Sequence, residues 1–282
     1  MGTSSSSRGP GSNVPLIPPW VPPLPPPLAP PAPDADEQGE AANPAPPPSP
    51  PPLLTPGLAA PRRFSSARTS LGKFAKSASQ DDLKRGLGHY TGGLGGSASA
   101  TRRVARTAVN AGAMFGVLNA LSAGTAPTVD LGVDIASLSG RPARDVASVI
   151  INALQVSDGT QDAEASRDAM SRAFSDLLIE EPDADLLKLA AEQIEFVTQR
   201  YIAEDLCRRI ELDVGKAVHD KADDAVDGIR RMEEIREFVR QAIAASFRTR
   251  SERGQITTVA NAARLAAGVL KDVFEIFEGY VR

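Results

Sequence analysis

The chain has 282 residues, of which 41% are hydrophobic and 5% aromatic, and its formal net charge is −4. A single cysteine, Cys207, excludes an internal disulfide, and no charged-then-apolar leader precedes a small-residue cleavage site at the N-terminus. This composition excludes a disulfide-stapled secreted domain and predicts a cytoplasmic protein.

Residues 1–63 are predicted to form a long disordered, proline-rich arm with a small polar N-terminus. All but three of the 24 prolines lie before Phe64, and the chain starts MGTSSSSRGPGSN. Runs such as residues 22–27 favour polyproline II, a stiff extended conformation without internal hydrogen bonds. Trp20 lies in the arm's one apolar segment, which could enter a groove on a partner or could belong to a solvated linker.

Residues 64–98 are predicted to form a basic, Gly/Ser-rich collar. Residues 64–106 hold eight basic and two acidic residues, whereas residues 107–282 hold twenty basic and twenty-nine acidic ones, so the collar can dock on the domain. The glycines of RGLGHYTGGLGG lack the G-x-x-x-x-G-K-[ST] pattern of a phosphate loop and instead suggest tight turns or close approach to another surface. Gly88, His89 and Tyr90 are interpreted as packing or contact residues. The basic run is short and has few aromatics, so direct nucleic-acid binding is not expected.

From Ser99 onward the hydrophobic spacing predicts an α-helical domain, residues 99–282. Pro142 is typical of a first helical turn, Asp158 with Gln161 resembles a capping box, and Pro182 marks a restart. The apolar stripes need one another for burial, so the fold class is mostly α: a helical bundle preceded by the arm. Helices are predicted over residues 99–123, 142–156, 160–180, 184–219, 223–249 and 256–279.

Residues 104–123 raise the question of membrane insertion. The stretch from Thr107 to Val129 has no charge, and Gly112 and Gly116 form a small-xxx-small pair. Polar residues and several glycines dilute its hydrophobicity. The pattern therefore favours a core helix packed tightly against a neighbour, with a membrane-inserted helix as the alternative.

The sequence contains no recognisable catalytic, metal or cofactor site. Two histidines and one cysteine cannot form a Cys/His zinc site, and neither G-x-S-x-G nor H-E-x-x-H occurs. The acidic cluster Asp158, Asp162, Glu164 and Asp168 lacks EF-hand spacing, and its first two members flank a predicted helix start, where carboxylates act as caps. Cys207 lies among apolar residues and is predicted to be a buried thiol.

The N-terminus is the one chemically notable point of the arm. Because Gly2 is small, removal of Met1 is expected to expose a glycine amine with a pKa of about 7.7 to 8.0, which is partly nucleophilic near neutral pH. The start also fits an N-myristoylation pattern through Ser6, although Arg8 is the only nearby basic residue and one acyl chain anchors weakly. The alternative is a chain end without a role.

Several landmarks in their order and spacing resemble the QatB family, the associated proteins of the bacterial Qat anti-phage defence system. They are the start MGTSSSSRGPGS, then RTSLGKFAKS, RGLGHYTGGLGGSASATRR, DGTQDAEASRDA and the closing FEIFEGY. The resemblance implies that the chain works beside a P-loop ATPase, a QueC-like enzyme of the deazaguanine type and a TatD-like nuclease, and that the chemistry belongs to these partners. It assigns no role to the segment DGTQDAEASR.

The resemblance also implies a function for Gly2. QueC-like defence enzymes are thought to join a deazaguanine-type group to a protein, and the Gly2 amine would be the acceptor. Two other function classes stay open: a membrane-disrupting effector that uses residues 104–123, and an unrecognised enzyme that depends on Asp162 or Glu164. The candidate partner-binding residues are Thr3, Ser4, Ser5, Ser6, Arg8, Trp20, Gly88, His89 and Tyr90.

Overall fold

The computed structural model describes residues 62–155 and 160–281. The predicted arm therefore lies outside the described residues, apart from its last two. From Arg63 onward, the described residues form one compact unit.

Within the described ranges, this unit consists of helices and the loops that join them. The prediction of a mostly α bundle is confirmed, because no strand occurs in this part of the chain. The α-helices are α1 (Ser65–Ser77), α2 (Gln80–Gly93), α3 (Ser97–Arg103), α4 (Ala105–Ser122), α5 (Ala143–Leu154), α6 (Gln161–Glu180), α7 (Ala191–Ile210), α8 (Lys216–Lys221), α9 (Ala225–Glu252) and α10 (Ala262–Gly279). A 3₁₀ turn spans Ile135–Leu138, and a π-helical turn, Glu211–Gly215, joins α7 to α8.

Two helices organise the core. Helix α7 packs against α4, α6 and α9, while α10 packs against α2, α3, α4 and α9. Their inward faces bury large side chains completely, among them Tyr201, Phe274 and Phe277. Because each stripe is covered by a neighbouring stripe, burial of apolar surface holds the bundle together.

The segment predicted as a collar forms α1 and α2 in the structure. Leu71, Phe74, Leu83 and Leu87 are fully buried in the same core as the later helices. Gly95 and Gly96 follow α2 in the turn to α3, at positive φ of 93° and 85°, as a tight turn requires. The earlier glycines lie within α2 and allow close approach, since a Cβ at Gly86 would lie 2.4 Å from Leu71 Cδ2. Leucines and aromatics three or four residues apart therefore decide the structure of this segment, despite its glycines.

The long helix predicted over residues 184–219 is interrupted at both ends. Helix α7 begins at Ala191, after a turn in which the Asp185 carboxylate accepts the Leu187 N–H (3.0 Å) and Gln193 Oε1 accepts the Ala190 N–H (2.7 Å). These side chains satisfy N–H groups that a continuous helix would otherwise have used. At the other end the helix widens into the π-helical turn.

Some predicted details of helix faces and caps are wrong. The apolar spacing in residues 223–249 predicts that Val226 and Ile229 are buried, but they are 73% and 66% exposed. The helical spacing of Asp227 and Arg231 predicts an ion pair, but Asp227 pairs with Arg230. The N-cap of α6 is Thr160, whose Oγ1 accepts the Ala163 N–H (3.2 Å). Asp158, predicted for that role, lies outside the described residues.

Helix α4 contains most of the uncharged stretch and packs inside the bundle. Nine of its side chains are buried, and it contacts α7 and α10. It approaches α10 closely at Gly112, where an added Cβ would lie 2.8 Å from the Ala263 backbone nitrogen. Among the described residues, no helix combines the length and the apolar character needed to cross a membrane.

The Gly112 contact gives a testable prediction of stability. A Cβ at Gly112 would lie 2.7 to 2.9 Å from Ala263 Cβ, N and Cα, whereas a Cβ at Gly116 meets only Val259 Cγ1 at 3.7 Å. Gly112→Ala should lower the free energy of unfolding by about 1 to 3 kcal/mol, because backbone atoms have to separate. Gly116→Ala should leave it unchanged or raise it by up to about 1 kcal/mol through helix propensity. Urea unfolding of both variants checks this, and equal effects would contradict the close α4–α10 contact.

Candidate functional site

A polar cleft, here called the α6 cleft, opens where five helices converge. It has a volume of about 380 Å³ and lies between the α3–α4 junction, the end of α5, the start of α6 and the C-terminal half of α7. Its lining residues are Arg103, Arg106, Asn110, Gln155, Thr160, Gln161, Asp162, Ala163, Ser166 and Arg209. Small-molecule sites in proteins usually have volumes of about 300 to 1,000 Å³, so the cleft falls within that range.

Ser166 lies at the centre of the cleft's polar floor. Its Oγ accepts hydrogen bonds from Asn110 Nδ2 (3.3 Å) and Gln155 Nε2 (2.9 Å) and lies 2.8 Å from the Tyr201 hydroxyl oxygen. Since both amides donate to Ser166, the serine proton is available to bond Tyr201. Burial, with the nearby Asp205 carboxylate, raises the pKa of Tyr201 well above its usual range, so its hydroxyl stays protonated.

A buried carboxylate lies behind the floor. Asp205 is fully buried on α7, and its Oδ2 accepts hydrogen bonds from Thr107 Oγ1 and from Arg209 Nε, the latter at 3.0 Å. Arg209 extends from this contact to Asp162 at the start of α6 (3.0 Å). These bonds explain why Thr107 is buried on the apolar α4, and they position Arg209 in the wall of the cleft.

The remaining charges of the cleft are positive. Arg103 ends α3 and Arg106 lies in the first turn of α4, and both are exposed. Neither forms an ion pair with any residue in ranges 62–155 and 160–281. Asp162 is the one carboxylate among the lining residues, against three arginines, so the lining carries a net charge of +2.

The acidic cluster considered in the sequence does not assemble as a metal site. Asp162 pairs with Arg209, and Asp168 pairs with Arg172 (3.1 Å) and Arg208 (2.5 Å). Burial acts to raise the pKa of Asp168, but the hydrogen bonds from these two arginines outweigh it and the pKa is lowered. In the described ranges, no three metal-ligating side chains are grouped.

The cysteine prediction is confirmed. Cys207 is a free, buried thiol on α7. Burial raises its pKa well above the usual value, and the Glu204 carboxylate raises it further. The thiolate is therefore disfavoured, which fits a packing residue and not a nucleophile.

Most predicted site residues fall outside the described part of the chain. These are Gly2, Thr3, Ser4, Ser5, Ser6, Arg8 and Trp20. Of the predicted residues on α2, Gly88 and Tyr90 are buried, and only His89 keeps part of its surface exposed. A Cβ at Gly88 would lie 2.8 Å from the Phe277 carbonyl oxygen, so this position packs against α10. The packing interpretation therefore holds for Gly88 and Tyr90, and His89 stays open to a partner.

Tyr90 helps to fix the start of the domain. Its hydroxyl donates to Asp213 Oδ2 in the π-helical turn (3.0 Å), and its ring stacks on Phe64 with 5.2 Å between centroids. Arg63 lies over the Phe64 ring at 4.6 Å, and Arg68 donates to the Asp213 carbonyl oxygen at 2.8 Å. Residues from α1, α2 and the π-helical turn thus hold one another together.

The α6 cleft was not found by sequence reasoning. Arg103 and Arg106 were counted only as collar charge, and Asn110 only as a residue that dilutes a hydrophobic helix. A signal was present: Thr107 and Asn110 lie three residues apart on an otherwise apolar helix, and buried polar side chains require partners. Their partners, on α6 and α7, cannot be read from the sequence.

Comparisons with known proteins give one match. The model of the QatB family, described as Qat anti-phage system associated protein QatB, matches residues 95–277. No curated protein and no solved structure matches the chain. The matched range includes every residue that lines the α6 cleft.

Proposed function

The chain belongs to the QatB family of Qat anti-phage system associated proteins, and we propose that it is a non-catalytic subunit of that system which binds partner proteins and presents Gly2 for modification. Membership of the family makes it a component of an anti-phage defence system. The partners in this proposal are a QueC-like enzyme, a P-loop ATPase and a TatD-like nuclease. The group attached to Gly2 would be of the deazaguanine type.

The family match is the observation that carries the proposal. It covers the helical domain from just before α3 to near the end of α10. The geometry at the start of the domain adds support. Phe64 is buried against Tyr90, and Arg63 covers its outer face, so the chain that follows the predicted arm is fixed to the core. An N-terminal segment that presents its end to an enzyme needs such an attachment.

Protection against phage should depend on Gly2 when the whole system is expressed. Gly2→Leu should retain Met1, remove the acceptor amine and abolish protection, while leaving the helical circular dichroism of the purified chain unchanged. Ser7→Leu places the same side chain in the same polar segment without blocking Met1 removal, so it should keep protection. Efficiency of plating measures both variants. Full protection by Gly2→Leu, or equal loss in both variants, would contradict a specific role for the Gly2 amine.

A further inference from the structure

The α6 cleft carries positive charge that its own residues do not neutralise. Arg209 is balanced by Asp205 and Asp162, but Arg103 and Arg106 have no ion-pair partner in the described part of the chain. Both line the same cleft from adjacent helices. Two guanidinium groups that flank one cavity favour an anion with several oxygens, such as a phosphate.

The start of α6 faces the same cleft. Residues 160–163, from the N-cap to the third helical residue, are among its lining residues. The first N–H groups of a helix have no acceptor within the helix and carry a partial positive charge. Asp162 would oppose an anion here, but its carboxylate is engaged by Arg209 at 3.0 Å. The helix start therefore adds to the field of the two arginines.

An unsatisfied buried acceptor gives independent evidence for a ligand. Gln155 lines the cleft and is 2% exposed. Its Nε2 donates to Ser166, but its Oε1 is buried without a hydrogen-bond partner. A buried acceptor without a partner destabilises the folded state, so such groups usually have one. A ligand with an N–H group beside its anionic end would supply it.

We propose that the α6 cleft binds a small phosphate-bearing molecule of the nucleotide class. Its phosphate would contact Arg103, Arg106 and the first turn of α6, and an N–H group of its base would donate to Gln155 Oε1. A small molecule fits better than a nucleic-acid strand, because the cleft has the volume of a small-molecule site. Residues 160–163 and Ser166, which lie within DGTQDAEASR, would then belong to the binding site.

Isothermal titration of the full-length chain tests this site. The probes are adenosine and guanosine 5′-monophosphates, their nucleosides and inorganic phosphate. At least one mononucleotide should bind, and its nucleoside should bind at least about tenfold more weakly, because a charged hydrogen bond contributes about 1.5 to 3 kcal/mol. Arg106→Gln should weaken the mononucleotide by about tenfold for the same reason. Gln155→Met should weaken the mononucleotide but not inorganic phosphate.

Arg102→Gln is the matched control. Arg102 is exposed and adjacent to Arg103, but it does not line the cleft. It should change the affinity by less than about twofold, since exposed charges outside a site contribute little. Equal weakening by Arg102→Gln and Arg106→Gln, or an oligonucleotide that binds more tightly than every mononucleotide, would overturn the proposal and indicate a basic surface. Failure of both mononucleotides and phosphate to bind at millimolar concentration would also overturn it, without bearing on the modification of Gly2.

Discussion

Replacing Glu204 with glutamine is expected to lower the free energy of unfolding by about 3 kcal/mol. Glu204 is fully buried on α7, and its carboxylate contacts two arginines of α9: Arg240 at 2.6 Å and Arg236 at 3.3 Å. Asp176 of α6 also contacts Arg240, at 3.2 Å. One carboxylate therefore links α7 to α9. Its neutralisation leaves two largely buried guanidinium groups short of negative charge.

Glu237→Gln is the control for this change. Glu237 also pairs with Arg240, at 3.9 Å, but its side chain is 53% exposed. Exposed ion pairs contribute at most about 1 kcal/mol, so this variant should unfold near the wild-type midpoint. For a domain of this size, Glu204→Gln should lower Tm by about 6 to 12 °C in a thermal scan. Similar Tm values for the two variants would show that the buried ion-pair network is not a major source of stability.

Tyr90→Phe is expected to cost about 2 kcal/mol near neutral pH, because a hydrogen bond to a charged group is lost. The Tyr90 hydroxyl is the donor to Asp213 Oδ2, and burial raises the pKa of Tyr90 well above 10, so the donor stays protonated. The Phe64 and Tyr90 rings stack, and phenylalanine preserves that contact. The loss in free energy of unfolding therefore reports on the hydroxyl group alone.

The pH dependence of this cost follows from Asp213. Burial raises the pKa of Asp213, while the hydrogen bond from Tyr90 lowers it. Loss of the Tyr90 hydroxyl should raise the pKa of Asp213 in the folded state further. The loss of stability in Tyr90→Phe is therefore complete above that pKa and disappears as the pH falls through it. Tyr280→Phe is the control, because burial raises the pKa of Tyr280 without a hydrogen-bond contribution. Denaturant unfolding at several pH values should show a pH-dependent penalty for Tyr90→Phe alone, and a constant penalty would contradict the Tyr90–Asp213 bond.

Local sequence signals predicted the later helices but neither α1 and α2 nor the interruptions between helices. Leucine and aromatic spacing identified α4, α5, α6, α9 and α10, with α10 starting later than predicted. The π-helical turn includes one poor helix former, Gly215, which does not by itself predict a π-helical turn. Its Asp213 is bound by Tyr90 from α2 and by Arg68 from α1, more than 100 residues earlier. Contacts at that separation override local propensity, and a single sequence does not reveal them.

The ion pairs and hydrogen bonds between helices could not be predicted from the sequence for the same reason. The helical spacing of Glu237 and Arg240 predicts an ordinary surface ion pair, and the two residues do pair. The structure adds Glu204 and Asp176, from two other helices, and turns Arg240 into a largely buried centre of the network. Likewise Thr107 and Asn110 reach Asp205 and Ser166 only because α4 packs beside α6 and α7. Helix packing decides which polar residues contact one another. The periodicity of a single helix does not contain that information.

The two proposals assign different tasks to different parts of the chain. Gly2 would receive a group from the QueC-like partner, while the α6 cleft would hold a nucleotide-class ligand inside the family-matched domain. His89, partly exposed on α2, remains a candidate contact for a partner. The purified chain would bind and be modified, and its partners would carry out the reactions.

The most direct test of the proposed function is the mass of the N-terminal peptide. The wild-type chain is expressed with the QueC-like partner, and separately without it, and both samples are digested and measured. The proposal predicts a Met1-free peptide whose mass increases only when the partner is present, with the added group on Gly2 in the fragment spectrum. An unmodified Gly2 in the presence of an active partner would contradict it.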